Sequence, residues 1–582
     1  MFARLHAFLT APVGKTARAT TLFWFWLSLT CALAIALLTV RPAFSHAYVV
    51  QDDARQHVFW MQRFIDPGVF PNDVIADYFQ SVAPLGYTTL YRALAAVGIA
   101  PLLASKLLPI VLVLISTAYC FAACLQILPV PLAGFLASLI LNQNLMRADD
   151  IYSATPRAFV YPLFLAFLYY LLRRSRLPCA IAVLLLGLFY PQVMLVACGV
   201  LLLSLLRWEH WRPRLSTERQ DYWLTGAGLL GAAIAVLLYL FQQDASEFGP
   251  AISFAQAKQL PEFWGAGRLK FFTPDMPAFW FTEQRSAITP RPNQLFDPRY
   301  ILLSLLLPGL LRLPQRLPLV QQVTTKVHDL GLILFASVGL YFAAHAVLFK
   351  LHLPSRYTQH SLRMVMAIAA GIVLTLLIDG LLRWALSANH SVAKRTIALI
   401  TLSAIALTLL AFPVLSQPRP RFIVGREPKL YEFFAQQPQD ILIASLSTQA
   451  NFLPSFSQRS ILAAEEYGIV YHLGYYQQFR DRMLNLLRAH YSTNPDEVRR
   501  FTEKYSIDFW LLDKTAFKAK YFRAKAWIRQ HYEPVTSEVI EALKRGTIPV
   551  LEQQIDRCTV LETQKHFVLQ ANCVIHSPNA RQ

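Results

Sequence analysis

Charge is what this chain has least of. Of its 582 residues, 54 are Lys or Arg and 35 are Asp or Glu, so 15% are charged, where a soluble protein carries about 25%. With 55% hydrophobic residues and a mean hydropathy of +0.38, there is too little polar surface to cover several water-soluble domains. That excludes a soluble multi-domain enzyme and a disordered chain. Seven cysteines in this length exclude a disulfide scaffold. The sequence has no Walker loop, no GxGxxG behind a strand, no CxxC pair, no HExxH, and no internal repeat. The formal charge of +19 does not indicate nucleic acid. The basic residues sit at the ends of apolar runs, where they anchor helices to headgroups, and no base-stacking motif accompanies them.

What the chain does have is long apolar runs. A helix needs about 20 apolar residues to cross the hydrocarbon core. Leu22–Val40 fits one crossing; a cleaved signal peptide is the alternative, although the run is longer than a usual signal core. Leu107–Met146, interrupted by Pro129 and Pro131, predicts two helices joined by a tight turn. Ala158–Leu172 follows and ends in Arg173, Arg174 and Arg176. Leu177–Leu206 is too long for one helix and short for two, and Tyr190-Pro191-Gln192 at its middle predicts two short helices meeting at a turn. Tyr222–Gln243, Leu330–Phe349, Met364–Ile378 and Thr396–Gln417 are further crossings, with Tyr300–Leu311 the shortest candidate. The expected fold is a polytopic α-helical membrane domain, residues 1–417, with about 11 transmembrane helices.

Lys and Arg set the orientation. With the N-terminus in the cytoplasm, the inner segments hold sixteen of them (Lys15, Arg18, the Arg173 cluster, Arg207 to Arg219, Lys326 and Lys394 among them). The short outer loops hold only Arg147, Arg157, Lys350, Arg356 and Arg363. Loops 41–102 and 242–299, and everything after residue 417, then lie outside; in a bacterium this is the periplasmic face of the inner membrane. From 418 to 582 charge becomes frequent. Asp440–Ala444 and Ile507–Leu512 read as buried strands, with helical pattern at Gln477–Ala489 and Pro495–Lys504, so a small extracytoplasmic α/β domain is expected. Cys558 and Cys573 bracket two strand-like runs, Thr559–Glu562 and His566–Gln570, and are either a disulfide across a hairpin or two free thiols. Cys31, Cys120, Cys124, Cys179 and Cys198 lie in or beside the spans as small hydrophobes.

Ionisable groups near lipid depth are costly, and so they are informative. Three clusters fall on the outer face. Asp52 and Asp53 open the first outer loop, followed by His57 and an amphipathic run, Val58 to Ile65, that reads as a helix along the interface. The plainer alternative is that Asp53 caps that helix, with Gln56 completing a capping box. Asp149 and Asp150 occupy the next loop; the plainer alternative is a solvated loop with Ser or Thr capping the next helix. Arg356, His360 and Arg363, at i, i+4 and i+7, share one helix face and suit a phosphate; headgroup snorkelling is the alternative. Acids and phosphate-binding cations on one face are what transfer from a lipid phosphate requires. A carboxylate takes the proton of an acceptor hydroxyl while cations stabilise the departing phosphate.

On these residues the chain resembles the GT-C superfamily of integral-membrane glycosyltransferases. The resemblance covers the layout: a first span, a long acidic first outer loop, irregular spans, and a soluble C-terminal domain outside. It implies a polyprenyl-phosphate-linked sugar donor, a glycan, lipid or protein acceptor, and inverting transfer on the extracytoplasmic face. Asp52-Asp53-Ala54 looks like the family's acidic pair, which implies Asp52 as catalytic base with Asp53 beside it. Arg356 resembles the cation on the lipid-linked phosphate, with His360 and Arg363 next to it. Asp149, Asp150 and His57 would hold an acceptor or a divalent cation, Mg or Mn. Two features differ: the second-loop acids are adjacent rather than one residue apart, and the tail has no WWD-like signature. Glu465 and Glu466 in the tail read as surface helix charge, or else as acceptor-binding groups. Two other functions fit the composition. One is a transporter or flippase for a lipid-linked saccharide, to which Asp379 within a span would belong; the other is a non-catalytic membrane scaffold.

Overall fold

A chain with no water to bond must satisfy its own amides, and each long apolar run folds as a helix. The computed structural model describes residues 2–14, 18–209, 212–241, 245–265, 267–387 and 392–576; Lys15 and the end of the Tyr222–Gln243 run lie outside them. A short helix α1 (Phe2–Thr10) precedes α2 (Arg18–Val40), α3 (Pro101–Ile127), α4 (Pro131–Leu145), α5 (Val160–Leu172), α6 (Arg176–Phe189), α7 (Pro191–Ser204), α8 (Arg219–Phe241), α9 (His328–Ala346), α10 (Arg356–Ser387) and α11 (Val392–Leu415). Proline sits at the first helical position of α3, α4 and α7, where its missing amide hydrogen breaks no bond.

Among the described residues, six helices are long and apolar enough to cross a membrane: α2, α3, α8, α9, α10 and α11. The others are shorter. Tyr300–Leu311 forms a 3-10 helix, Arg299–Leu306, running into one turn of α-helix, Leu307–Leu310. The helices α6 and α7 have 14 residues each and form a hairpin that packs on α8. At its base Arg174 lies 3.3 Å from Asp221; near the tip the Tyr239 hydroxyl donates to the Gly187 carbonyl at 3.2 Å; on the returning arm Thr225 donates to the Leu201 carbonyl at 3.1 Å. Tyr190, with φ −154° and ψ 82°, breaks the helix at the tip, as Tyr190-Pro191 leads one to expect.

The centre of the bundle is α4, all of whose residues are buried. It packs against α10 so closely that a Cβ on Gly371 would lie 2.5 Å from the Ala137 amide nitrogen. The row Asn142, Gln143 and Asn144 ends it with buried polar groups. Asn144 donates to the carbonyls of Gln294, Leu295 and Asp297 at 3.1, 2.9 and 2.6 Å, which pins the end of loop 242–299 onto the bundle. At the opposite end Asp379, buried in α10, bonds His6 of α1 at 2.7 Å and Arg383 at 2.9 Å. The acid that suggested a transport path is thus taken up in fixing α1 to the bundle.

The run Val58 to Ile65 is not the exposed amphipathic helix expected of it. Val58, Phe59, Trp60 and Met61 are buried, with Phe59 edge-on to Tyr467 of the tail at 5.4 Å, because this run is covered by the C-terminal residues rather than by lipid. Before it, β1 (Val49–Gln51) pairs antiparallel with β2 (Phe422–Val424), the segment that follows α11. The tail carries a five-stranded sheet of β3 (Leu442–Ser445), β4 (Ser460–Ile461), β5 (Phe509–Asp513), β6 (Thr559–Glu562) and β7 (His566–Gln570), in spatial order β4-β3-β5-β7-β6. The strand β3 is parallel to β4 and β5, and β7 is antiparallel to β5 and β6. Helices α12 (Leu473–Tyr491) and α13 (Pro495–Tyr505) follow β4 in the chain. They bury one face each, through Met483, Leu486 and Leu487 on the first and Val498 and Phe501 on the second.

Cys558 and Cys573 form a disulfide across the β6–β7 hairpin, with Cα atoms 5.5 Å apart and a sequence separation of 15. Closing a loop of this size stabilises a fold by about 3 kcal/mol. Replacing both cysteines by serine is expected to lower tail stability by that order, read by urea unfolding of the full-length protein in detergent, and non-reducing mass spectrometry of the native protein should show the linked peptide pair.

Candidate active site

The site begins with the β1–β2 pairing. Tyr48-Val49-Val50 and Phe422-Ile423-Val424 are apolar, partly β-branched runs suited to a strand, and their register sets Gln51 opposite Phe422. The pairing continues one step further, as the Asp52 amide donates to the Arg421 carbonyl at 2.9 Å. The Arg421 guanidinium then lies 3.3 Å from the Asp52 carboxylate, and the Arg421 amide donates to Asp149 at 2.7 Å. Around these groups opens a cavity of about 340 Å³, walled by Asp52, Asp53 and Asp149 together with Arg157, Arg291, Arg419 and Arg421. Gln284 and Gln294 complete it. Its walls come from four separate stretches of chain.

Asp53 occupies the N-cap position of the short helix Ala54–His57, yet its side chain makes no capping bond. The capping reading therefore fails. The carboxylate turns instead to Arg157, which donates to it through Nη2. Burial would raise the Asp53 pKa, but Arg157, His57 and Arg356 together hold it below the usual carboxylate range. Asp149 goes the other way, pushed up by burial and by Asp53, with the Arg421 amide only partly offsetting. Two acids in one cavity are thus driven apart, the usual way of giving two carboxyls different work. Burial takes the His57 imidazole down to about 4, so it is neutral at pH 7; it does not line the cavity.

Arg157 and Arg291 reach the cavity from unusual backbone. Ala154, at φ 51°, precedes Thr155-Pro156-Arg157, and Arg291 itself has φ 50°. Left-handed backbone is strained for residues with a Cβ and clusters where a function requires it. The Ala154 turn is held by Tyr91, which donates to the Ala154 carbonyl at 3.0 Å. Arg419 is fixed by donating to the Asn293 carbonyl at 3.1 Å.

Asp150 turns away from the cavity into the bundle. It accepts from Tyr161 at 2.9 Å and from Gln359 at 3.0 Å, with Arg363 at 3.6 Å, Arg157 at 3.7 Å and His360 at 3.8 Å. Burial opposes its charge, but Arg363, His360 and Arg157 more than offset it and hold the acid well below its ordinary pKa. His360 and Arg363 are themselves 0% and 1% exposed. As expected they share a helix face, but that face meets Asp150, so neither reaches the cavity as a phosphate ligand. Arg356, at the first position of α10, is different. It does not line the cavity either, but among the described residues it donates to Gln359 at 3.0 Å and meets no carboxylate, and its charge is felt by Asp53 and Tyr190.

No family model matches this chain, and no curated protein does. Among solved structures it is similar to the oligosaccharyltransferase of Archaeoglobus fulgidus in the apo form, with 12% identity and a TM-score of 0.49 over 87% of this chain and 71% of that one. It is also similar to AglB from the same organism in complex with an inhibitory peptide and a dolichol-phosphate, at 11% identity and 0.48 over 88% and 72%. The form tethered with an acceptor peptide gives 11% identity and 0.47 over 89% and 72%.

The structure brings together Asp52, Asp53 and Asp149, and keeps Asp150, His360 and Arg363 behind them. Arg291, Arg419 and Arg421 were not singled out from sequence, and Arg157 was noted only in the loop of the second acidic pair. Two signals were there: Arg157 closes the Thr-Pro-Arg turn beside the second acidic pair, and Arg419 and Arg421 follow the last span among prolines. The expected divalent-cation set does not assemble. Asp149 and Asp150 diverge, each acid is matched to a guanidinium or an N–H donor, and among the described residues no three His, Cys, Asp or Glu side chains converge. A hard divalent cation is held through oxygen ligands, Mg²⁺ often through only one or two carboxylates with phosphate and water, and here each such carboxylate already has a basic or N–H partner.

The tail closes the back of the site. Glu466 is buried, contrary to a surface charge: it accepts from Arg55 at 2.7 Å, Gln56 at 2.6 Å and Arg268 at 2.6 Å. Arg55 also contacts Asp52, so the tail and the first loop are tied through one carboxylate. Glu465 faces the opposite way, onto a tail crevice of about 200 Å³ shared with Ser447, Lys525 and Trp527. Removing one partner from a buried ion pair costs about 3–5 kcal/mol. Glu466→Gln is expected to destabilise the protein by that order and to raise hydrogen exchange in residues 49–57, while Glu465→Gln leaves both at wild-type values.

Proposed function

We propose that this protein is a membrane glycosyltransferase of the GT-C kind. It moves a sugar from a polyprenyl-phosphate-linked donor to an acceptor hydroxyl at the extracytoplasmic face. The observation that carries this reading is the meeting of Asp52, Asp53 and Asp149 with four guanidiniums in one cavity at one end of an apolar bundle. A polyprenyl tail stays in the hydrocarbon while its phosphate sits at the boundary, and a cavity of mixed carboxylates and arginines there suits a phosphate, a sugar and a hydroxyl at once.

In the reaction the acceptor oxygen attacks the anomeric carbon from the face opposite the phosphate. The bond from that carbon to the phosphate oxygen breaks, and its electron pair stays on the phosphate. Asp52 takes the acceptor proton, and a single displacement inverts the anomeric centre. Arg356, without an acid of its own, binds the departing phosphate. Asp53 holds Arg157 in place. The N-terminus is cytoplasmic in this reading, and in a bacterium the membrane is the inner one.

General-base catalysis contributes about 10²- to 10⁴-fold. A strain whose sole copy carries Asp52→Asn is expected to accumulate lipid-linked sugar as a deletion strain does, with the variant expressed and melting as wild type. Normal levels of lipid-linked sugar in that strain would remove Asp52 from the mechanism. Arg356→Ala is expected to weaken binding of undecaprenyl phosphate to the purified protein by roughly tenfold, the loss of one charge-assisted contact.

A further inference from the structure

Glycosyl and phosphoryl chemistry at a lipid phosphate needs positive charge close to the leaving oxygens, and the source of that charge is either a bound cation or a fixed side chain. Here the carboxylates that could hold a cation are already taken. Asp53 receives Arg157 Nη2, Asp52 is in contact with Arg55 and Arg421, Asp149 accepts the Arg421 amide, and Asp150 is enclosed by Tyr161, Gln359 and three basic groups. Arg157 stands at the centre. It lines the cavity, bonds Asp53, and lies 3.7 Å from Asp150.

We propose that Arg157 is the resident cation of the site, and that the protein binds and processes its lipid phosphate without a divalent metal. The inference rests on the transferase reading above. Three features support it. The guanidinium is placed by a rigid turn, with Pro156 at the first position of its short helix and the Ser153 and Thr155 hydroxyls bonded to each other at 2.7 Å. Among the described residues its Nε is buried with no hydrogen-bond partner, so the protein does not use all of the guanidinium's donors. A metal inserted among Asp53 and Asp149 would have to displace this guanidinium and then share the space with it, like charge against like. During transfer Arg157 faces the phosphate oxygen that receives the electron pair of the broken bond to the anomeric carbon, while the acceptor proton goes to Asp52. Nothing is oxidised or reduced, and no further reactant enters.

The test uses the full-length protein in detergent, with undecaprenyl phosphate as probe, bound in excess EDTA and again with added Mn²⁺ or Mg²⁺. The expected result is one affinity in all three conditions and no Mn²⁺ retained by the desalted wild type. Arg157→Ala is expected to weaken binding by roughly tenfold or more, as the loss of a charged hydrogen-bonding group does. Arg157→Lys, which keeps the charge and loses the fork, is expected to fall between, and it covers the case in which the alanine variant does not fold. Binding that disappears in EDTA and returns with Mn²⁺ overturns the proposal and leaves the transferase reading standing. Full affinity in both Arg157 variants also overturns it. Absence of lipid-phosphate binding in wild type under every condition overturns the transferase reading, and this proposal with it.

Discussion

The pairing of Val49–Gln51 with Phe422–Val424 is the constraint on which the site depends. Two strands of three residues are marginal by themselves, and this pair holds because its surroundings hold it. Val49 and Val50 are buried, and Tyr48 packs on Tyr431 and Phe456 of the tail at ring distances of 5.0 and 5.5 Å. One side of the cavity comes from residues just past β1 and the other from residues just before β2. If the tail undocks, Arg421 leaves Asp52 and Asp149 together. Assembly of the site and docking of the C-terminal residues are therefore one event, and Glu466, bonded to Arg55, Gln56 and Arg268, is its second fastening.

Behind the cavity the charges are arranged in layers. Arg157 separates Asp53 in front from Asp150 behind, and Asp150 is in turn backed by His360 and Arg363. A buried carboxylate stays ionised only with partners of this number and geometry. The inner layer touches no cavity surface, yet it fixes where Arg157 stands. Members of such a network are costly to change even though they are remote from any substrate.

Much of this was legible in the sequence because hydrophobic runs and prolines report local physics. The break at Tyr190-Pro191, the turn at Pro129 to Pro131 and the strands at Leu442–Ser445 and Phe509–Asp513 follow from length, period and punctuation. The acid pairs were visible as charge where charge is expensive. The side each acid faces was not. Asp149 and Asp150 are neighbours in sequence and point to different compartments of the fold, a matter of tertiary packing. The helical spacing of Arg356, His360 and Arg363 was right, while the burial of the last two depended on α5 supplying Tyr161 and on Asp150 meeting them. The β1–β2 pair escaped notice because three residues are too few for any periodic signal, and the role of Arg421 escaped with it. The run Val58 to Met61 has the pattern of an interfacial helix, and pattern alone does not distinguish lipid from an overlying protein domain as its cover.

The hairpin of α6 and α7 has a consequence for the surrounding bilayer. Fourteen residues rise about 21 Å, short of the roughly 30 Å hydrocarbon thickness. Tyr190 at its tip packs against His360, 5.9 Å between ring centroids, on the end of the bundle that carries the cavity. Either the lipid leaflet dips to meet this tip or the tip lies recessed below the headgroups; mismatch of this kind is absorbed by local thinning. In both cases this corner of the bundle is shorter than the hydrocarbon it would cross, and its outline beside the arginines is a shallow notch in place of a sheer wall.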